Sequence, residues 1–180
     1  MGAMVKKAES GQIAVLIVIL AMLFIGLTGA LIDVYVLLEA RNWAYQAAQQ
    51  AALVGVSKGR EWPGITSDRG CLEPMTLNAG TARSEAEGLL QKEMNLRGIT
   101  NYDHEVRVLP DASGGSVSGF PPETVRLGEG RGDWSASEPS VGVYLSFPVQ
   151  TFLMPFFGRP EVQIDVFAAG SIHQPANVCP

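Results

Sequence analysis

Ile13 to Ile32 reads IAVLIVILAMLFIGLTGALI, and this stretch decides the fold. It holds no charged residue and no proline. In a helix, about 20 such residues rise roughly 30 Å, the thickness of a bilayer's hydrocarbon core. A soluble core helix is rarely apolar on every side for so long. The run therefore predicts a membrane anchor, with function carried by what the anchor presents.

The flanks set topology. Lys6 and Lys7 precede the run, and only Arg41 follows closely, which places the N-terminus in the cytoplasm and the remainder outside. A cleaved signal has a shorter apolar core and a small-residue cleavage site. Here the apolar character resumes after Asp33 with Val34, Tyr35, Val36, Leu37 and Leu38, and no Ala-x-Ala site follows. The reading is a cytoplasmic segment 1–12 and a retained single-pass anchor 13–38 in the cell membrane, with the bilayer as first partner. Asp33, the first polar interruption, reads as a hydrated boundary marker beside the interfacial Tyr35. Gly26 and Ala30 form a small-xxx-small pair suited to contact with another membrane helix.

The helix is expected to continue through 39–57, where EARNWAYQAAQQAALVGVS contains no proline and many good helix formers. From Ile13 to Ser57 it would run roughly 65 Å. Ala40, Ala44, Ala47, Ala51 and Gly55 recur at helical spacing and line one narrow stripe. Small side chains let another helix or a sheet approach closely. Docking of this stripe on other subunits predicts that Ala47→Leu or Ala51→Leu weakens assembly while the head stays folded.

Residues 58–180 suffice for one small domain. Thr81 to Leu96 reads as a second helix, with a Ser84/Glu87 capping box or a start at Thr81, an apolar side of Leu89, Leu90, Met94 and Leu96, and Gly98 at its end. Tyr102 to Leu109 reads as a strand, Pro110 to Pro122 as a mobile loop, and Val125 to Leu127 as a short strand. Val141 to Phe147 and Val162 to Ala168 alternate as two antiparallel strands. Between them, Phe152, Leu153, Met154, Phe156 and Phe157 either cover the sheet, dip into the membrane surface or meet a partner. The fold class is α+β: one long N-terminal helix and a small extracytoplasmic head with an antiparallel sheet. Cys71 and Cys179, both on the outer side, suggest a disulfide across a long loop.

Ser10 to Val56 resembles the N-terminal segment of TadE/TadG-like proteins of the tight-adherence pilus apparatus. Gly11-Gln12 before the run, Asp33 at its outer end, Tyr35, and the Gln- and Ala-rich Gln46 to Ala52 carry the likeness. The strand, Pro-containing apolar link and final strand of Val141 to His173 add to it. The resemblance implies a non-enzymatic, pseudopilin-like structural protein that associates with other membrane subunits through its N-terminal helix. One departure is plain. Processed pilins carry a glutamate five residues into the mature helix, and a cut after Gly11 puts Leu16 there, while a cut after Gly2 puts Lys7 there. An accessory subunit of a respiratory or photosynthetic membrane complex is the alternative.

Little else points to chemistry. Net charge is -5 with no basic stripe, against nucleic acid as a partner. His104 and His173 stand on different predicted strands, and two cysteines with two histidines offer no metal-ligand spacing. Arg131-Gly132-Asp133 reads as turn chemistry. No Walker motif, nucleophile elbow or haem attachment motif occurs, so no cofactor, small-molecule substrate or enzyme activity is expected.

Overall fold

The computed structural model describes residues 3–61, 72–122 and 132–174, the first ten of these as backbone only. A single helix, α1, covers Ala3–Gly59. It is followed by β1 (Arg60–Glu61), β2 (Thr76–Leu77), α2 (Ala79–Leu96), β3 (Asp103–Leu109), β4 (Gly115–Val117), β5 (Trp134–Ala136) and β6 (Ser140–Gln150). A 3-10 turn at Met154–Phe157 then leads to β7 (Glu161–Ser171). The chain divides into two compact units. One joins Met1–Glu39 to Val149–Val162, and the other joins Ala40–Pro148 to Gln163–Pro180. Residues 40–59 of α1 thus belong with the head, while the apolar link belongs with the N-terminal segment.

In the head, β6 is the middle strand of a three-stranded sheet in the order β3-β6-β7. It runs antiparallel to β3, from Asp103 opposite Ser146 to Leu109 opposite Ser140. The alternation in β6 is real, but both faces are covered. Val141, Val143, Leu145 and Phe147 are buried, and so are Tyr144 and Ser146. On the first face, Phe147 lies 5.1 Å from the ring of Trp43 on α1. On the second, Gly142 leaves room for three rings. A Cβ there would stand 3.0 Å from Phe120 and 3.1 Å from both Phe167 and Trp134. Those rings meet edge to face at centroid distances of 5.5–6.0 Å, a favoured aromatic geometry.

The small-residue stripe lies in this core. Ala44, Ala48, Ala51 and Ala52 are fully buried, and Ala40, Ala47 and Val56 nearly so. A Cβ on Gly55 would meet the Ala82 carbonyl oxygen at 2.7 Å, Ala86 at 3.1 Å and Val141 at 3.3 Å. A Cβ on Gly170 of β7 would stand 3.3 Å from the Ala52 backbone. The expectation that the stripe docks other subunits is therefore corrected. Its small side chains admit α2, β6 and β7 of the same chain, and no room remains on that face for a partner.

The second helix begins earlier than the sequence suggested, and with a different cap. Asn78 accepts a hydrogen bond from the Thr81 backbone N–H at 3.0 Å, the usual N-cap geometry. Ser84 instead donates to the Thr81 carbonyl within the helix. Buried Ala82, Ala86, Leu90 and Met94 form its inner face, whereas Leu96 is exposed. Gly98, at φ 68°, closes its C-terminus as expected. The Pro110 to Pro122 loop holds a strand that sequence did not indicate, β4, which pairs with β5. The strand expected at Val125 to Leu127 lies outside the described residues.

Candidate functional site

The unit formed by the N-terminal segment and residues 149–162 holds the least expected contact. Phe152 donates its backbone N–H to Asp33 Oδ1 at 2.5 Å, and Leu153 donates to Asp33 Oδ2 at 2.8 Å. Both carboxylate oxygens are thus engaged, and Asp33 is only 5% exposed. One turn earlier, Gly29 is buried beneath the Leu153 side chain, where a Cβ would meet Leu153 Cδ1 and Cγ at 2.7 Å. Asp33 and Gly29 form a clasp and a seat, spaced one helical turn apart so that both face the link. The reading of Asp33 as a hydrated marker is corrected: its carboxylate faces backbone N–H groups, not water. Tyr35 is well exposed.

The link is shaped for this contact by its own sequence. Pro155 opens the 3-10 turn at Met154–Phe157, where its fixed φ suits a helical start. Gly158, at φ 76°, ends it in the left-handed region that glycine adopts without strain. Phe156 N–H bonds to Leu153 O, Gly158 N–H to Pro155 O, and Arg159 N–H to Met154 O. Thr151 N–H bonds to Pro160 O and closes the loop at its base. Phe152, Phe156 and Phe157 remain exposed.

The remaining sequence-marked residues are dispersed. On α1, Gly26 has nothing near the position its Cβ would take, and Ala30 is exposed. Of the small pair, neither is covered by the chain itself, while the unmarked Gly29 is. His173 Nδ1 lies 2.6 Å from Glu138 Oε1 on the surface, and His104 lies 5.4 Å from the Tyr102 ring. Asp133 Oδ1 accepts from the Ser118 hydroxyl and from the Gly119 backbone N–H, a contact between distant segments and not a local turn; Arg131 lies outside the described residues. So do Cys71 and Cys179. Gln174, however, donates to the Met75 carbonyl and accepts from its N–H, at 2.8 and 2.9 Å. That pair joins the C-terminal segment to the stretch just after Cys71.

An open cavity of about 600 Å³ lies in the head, lined by Asp103, His104, Glu105, Tyr144, Ser146 and Asp165 among others. Its central groups satisfy one another. Tyr144 and Ser146 both donate to Asp165 Oδ1, at 2.8 and 2.6 Å, and Gln163 donates to Ser146 Oγ at 2.7 Å. The Ser146 hydroxyl thus shares the Asp165 carboxylate with the Tyr144 phenol. The pairing of Tyr144 with Asp165 and Ser146 with Gln163 is cross-strand contact between β6 and β7. Among the described residues, no group of three or more histidines, cysteines and carboxylates is placed to hold a metal ion.

No known protein family, curated protein or solved structure matches this chain.

Proposed function

We propose that this chain is a non-enzymatic, membrane-anchored structural protein of TadE/TadG type. Its N-terminus lies in the cytoplasm and its head outside, and it associates with other subunits of a pilus-assembly apparatus through the membrane part of α1. One observation carries the reading. From Ile13 to Ile32 the large apolar side chains are exposed, from 47% at Ile32 to 68% at Met22 and Ile25. Water would not tolerate so long an apolar surface, and lipid or other membrane helices would cover it. Thr28 fits the same setting, because its hydroxyl donates to the Phe24 carbonyl one turn back.

With the outer stripe consumed by the head, association falls to the open pair Gly26 and Ala30. A Cβ added at Gly26 meets nothing within 4 Å, and Ala30 is exposed, so Gly26→Ile and Ala30→Ile are the variants of choice. Together they are expected to reduce recovery of bound membrane proteins from a mild detergent extract by about tenfold, a loss of about 1.4 kcal/mol. Thermal unfolding of the head should not change. Undiminished recovery in the double variant refutes association through this pair. Mass spectrometry of the bound proteins separates the readings. Pilus or secretion components support the first, and a stoichiometric energy-transducing complex supports an accessory role, which the missing pilin glutamate favours.

We also infer a bond between Cys71 and Cys179. Cys71 lies four residues before Met75 and Cys179 five after Gln174, and about five residues of chain reach some 16 Å. The native protein is expected to lose two hydrogens in intact mass relative to its reduced form and to melt lower after reduction. Two alkylatable thiols in the native, unreduced protein would remove the bond.

A further inference from the structure

We propose that the link 151–160 is a second membrane element, inserted in the outer leaflet with Phe152, Phe156 and Phe157 in lipid. The proposal rests on the reading of Ile13 to Ile32 as a bilayer span. Depth is the first argument. Leu153 packs on Gly29, and Gly29 lies inside the apolar run, about one helical turn from its outer end. The Phe152 and Leu153 amides are tied to Asp33, just past that end. A link fixed to the helix at these positions lies at the level of the lipid, not above it. Phe152, Phe156 and Phe157 are 61%, 80% and 77% exposed at this level, next to exposed Leu31, Ile32 and Val34.

Backbone chemistry is the second argument, and it favours lipid over water. Irregular chain survives in hydrocarbon only where its polar groups find partners within the protein. A loop in water has no such need. In this link Thr151, Phe156, Gly158 and Arg159 bond to carbonyls of the link itself. Pro155 and Pro160 have no N–H to satisfy. Phe152 and Leu153, whose N–H groups have no carbonyl partner within the link, are the two that Asp33 receives. An acidic residue at the end of an apolar helix thereby gains a role: it receives two backbone N–H groups of the link that have no carbonyl partner within it, while the buried Thr151 hydroxyl is left without a partner among the described residues. Exposed Arg159 stands at the end of the link, where a guanidinium reaches lipid phosphates.

The test is tryptophan quenching in the full-length protein, reconstituted at high dilution in phosphatidylcholine vesicles. The bromines are carried either near the headgroup end of the acyl chain or near its terminal methyl. Phe156→Trp and Phe157→Trp place the probe on exposed sites, Phe24→Trp reports the anchor, and wild-type emission is subtracted. The expected result is that the added emission of Phe156→Trp and Phe157→Trp falls by half or more, most strongly with the shallow bromines. Phe24→Trp should respond to the deep ones. If Phe24→Trp is quenched and both link variants are not, the link is outside the lipid and the proposal is overturned while the anchor stands. If Phe24→Trp is not quenched either, the anchor reading fails and the proposal falls with it.

Discussion

Ala51→Leu and Gly55→Val are each expected to destabilise the head severely. Ala51 is fully buried, and a leucine there adds three carbons with no space to receive them. At Gly55 even the first added carbon would lie 2.7 Å from the Ala82 carbonyl oxygen, a backbone atom that cannot rotate aside. Overpacking typically costs about 1–3 kcal/mol, and more where backbone must move. We expect about 3 kcal/mol or more for each, a large share of the roughly 5–15 kcal/mol that holds a small domain together. Thermal unfolding of the head by near-ultraviolet circular dichroism measures it. Both variants should melt far lower or lack fixed tertiary signal, and recovery of partners should fail only as a consequence. Native-like melting together with lost assembly would restore the stripe as a docking face.

Asp33→Leu releases the link. The substitution keeps the helix and its apolar character but removes both acceptors, so the Phe152 and Leu153 amides lose their partners at once. Hydrogen bonds to a charged group contribute about 1.5–3 kcal/mol each, and an orphaned donor adds its own desolvation cost. A local loss of about 3–6 kcal/mol is expected. Amide exchange at Phe152 and Leu153 should then accelerate by about two to four orders of magnitude, the same free energy read as a rate. Amides of β3 and α2 should keep their protection, since the two units are separately compact. Asp33→Asn retains one acceptor and should fall between. Unchanged protection at Phe152 and Leu153 in Asp33→Leu would mean that the clasp does not hold the link.

Much of this architecture is legible in the chain because two periodicities dominate it. The apolar run and the alanine stripe mark α1, and strict alternation marks β6 and β7. What sequence did not reveal depends on distant partners. Gly142, Tyr144 and Ser146 read as the polar side of β6, yet Phe120, Trp134 and Phe167 arrive from other segments to cover it. The alanine stripe announces close approach, but not whether the approaching surface belongs to the same chain. Asn78 is inconspicuous as a cap because Ser84 and Glu87 offer a better-known pattern a turn and a half later. The three-residue strand β4 is too short to have a period at all. Asp33 is the clearest case. Its meaning lies in the backbone of residues 119 and 120 positions away, and backbone N–H groups leave no mark in a sequence.

That separation also sets an order in time. Asp33 is synthesised well before the residues that receive it, and at about 5–20 residues per second the interval is roughly 6–24 s. On the membrane reading, the nascent helix enters the bilayer with a carboxylate that has no protein partner. It will be held in the hydrated headgroup layer until β6 has been made. The final seat of Gly29 against Leu153 then forms only after the link has been made, and chains arrested before Thr151 should leave Asp33 open to water-borne reagents. The early helix would be a provisional anchor, whose resting position is fixed by a segment made more than a hundred residues later.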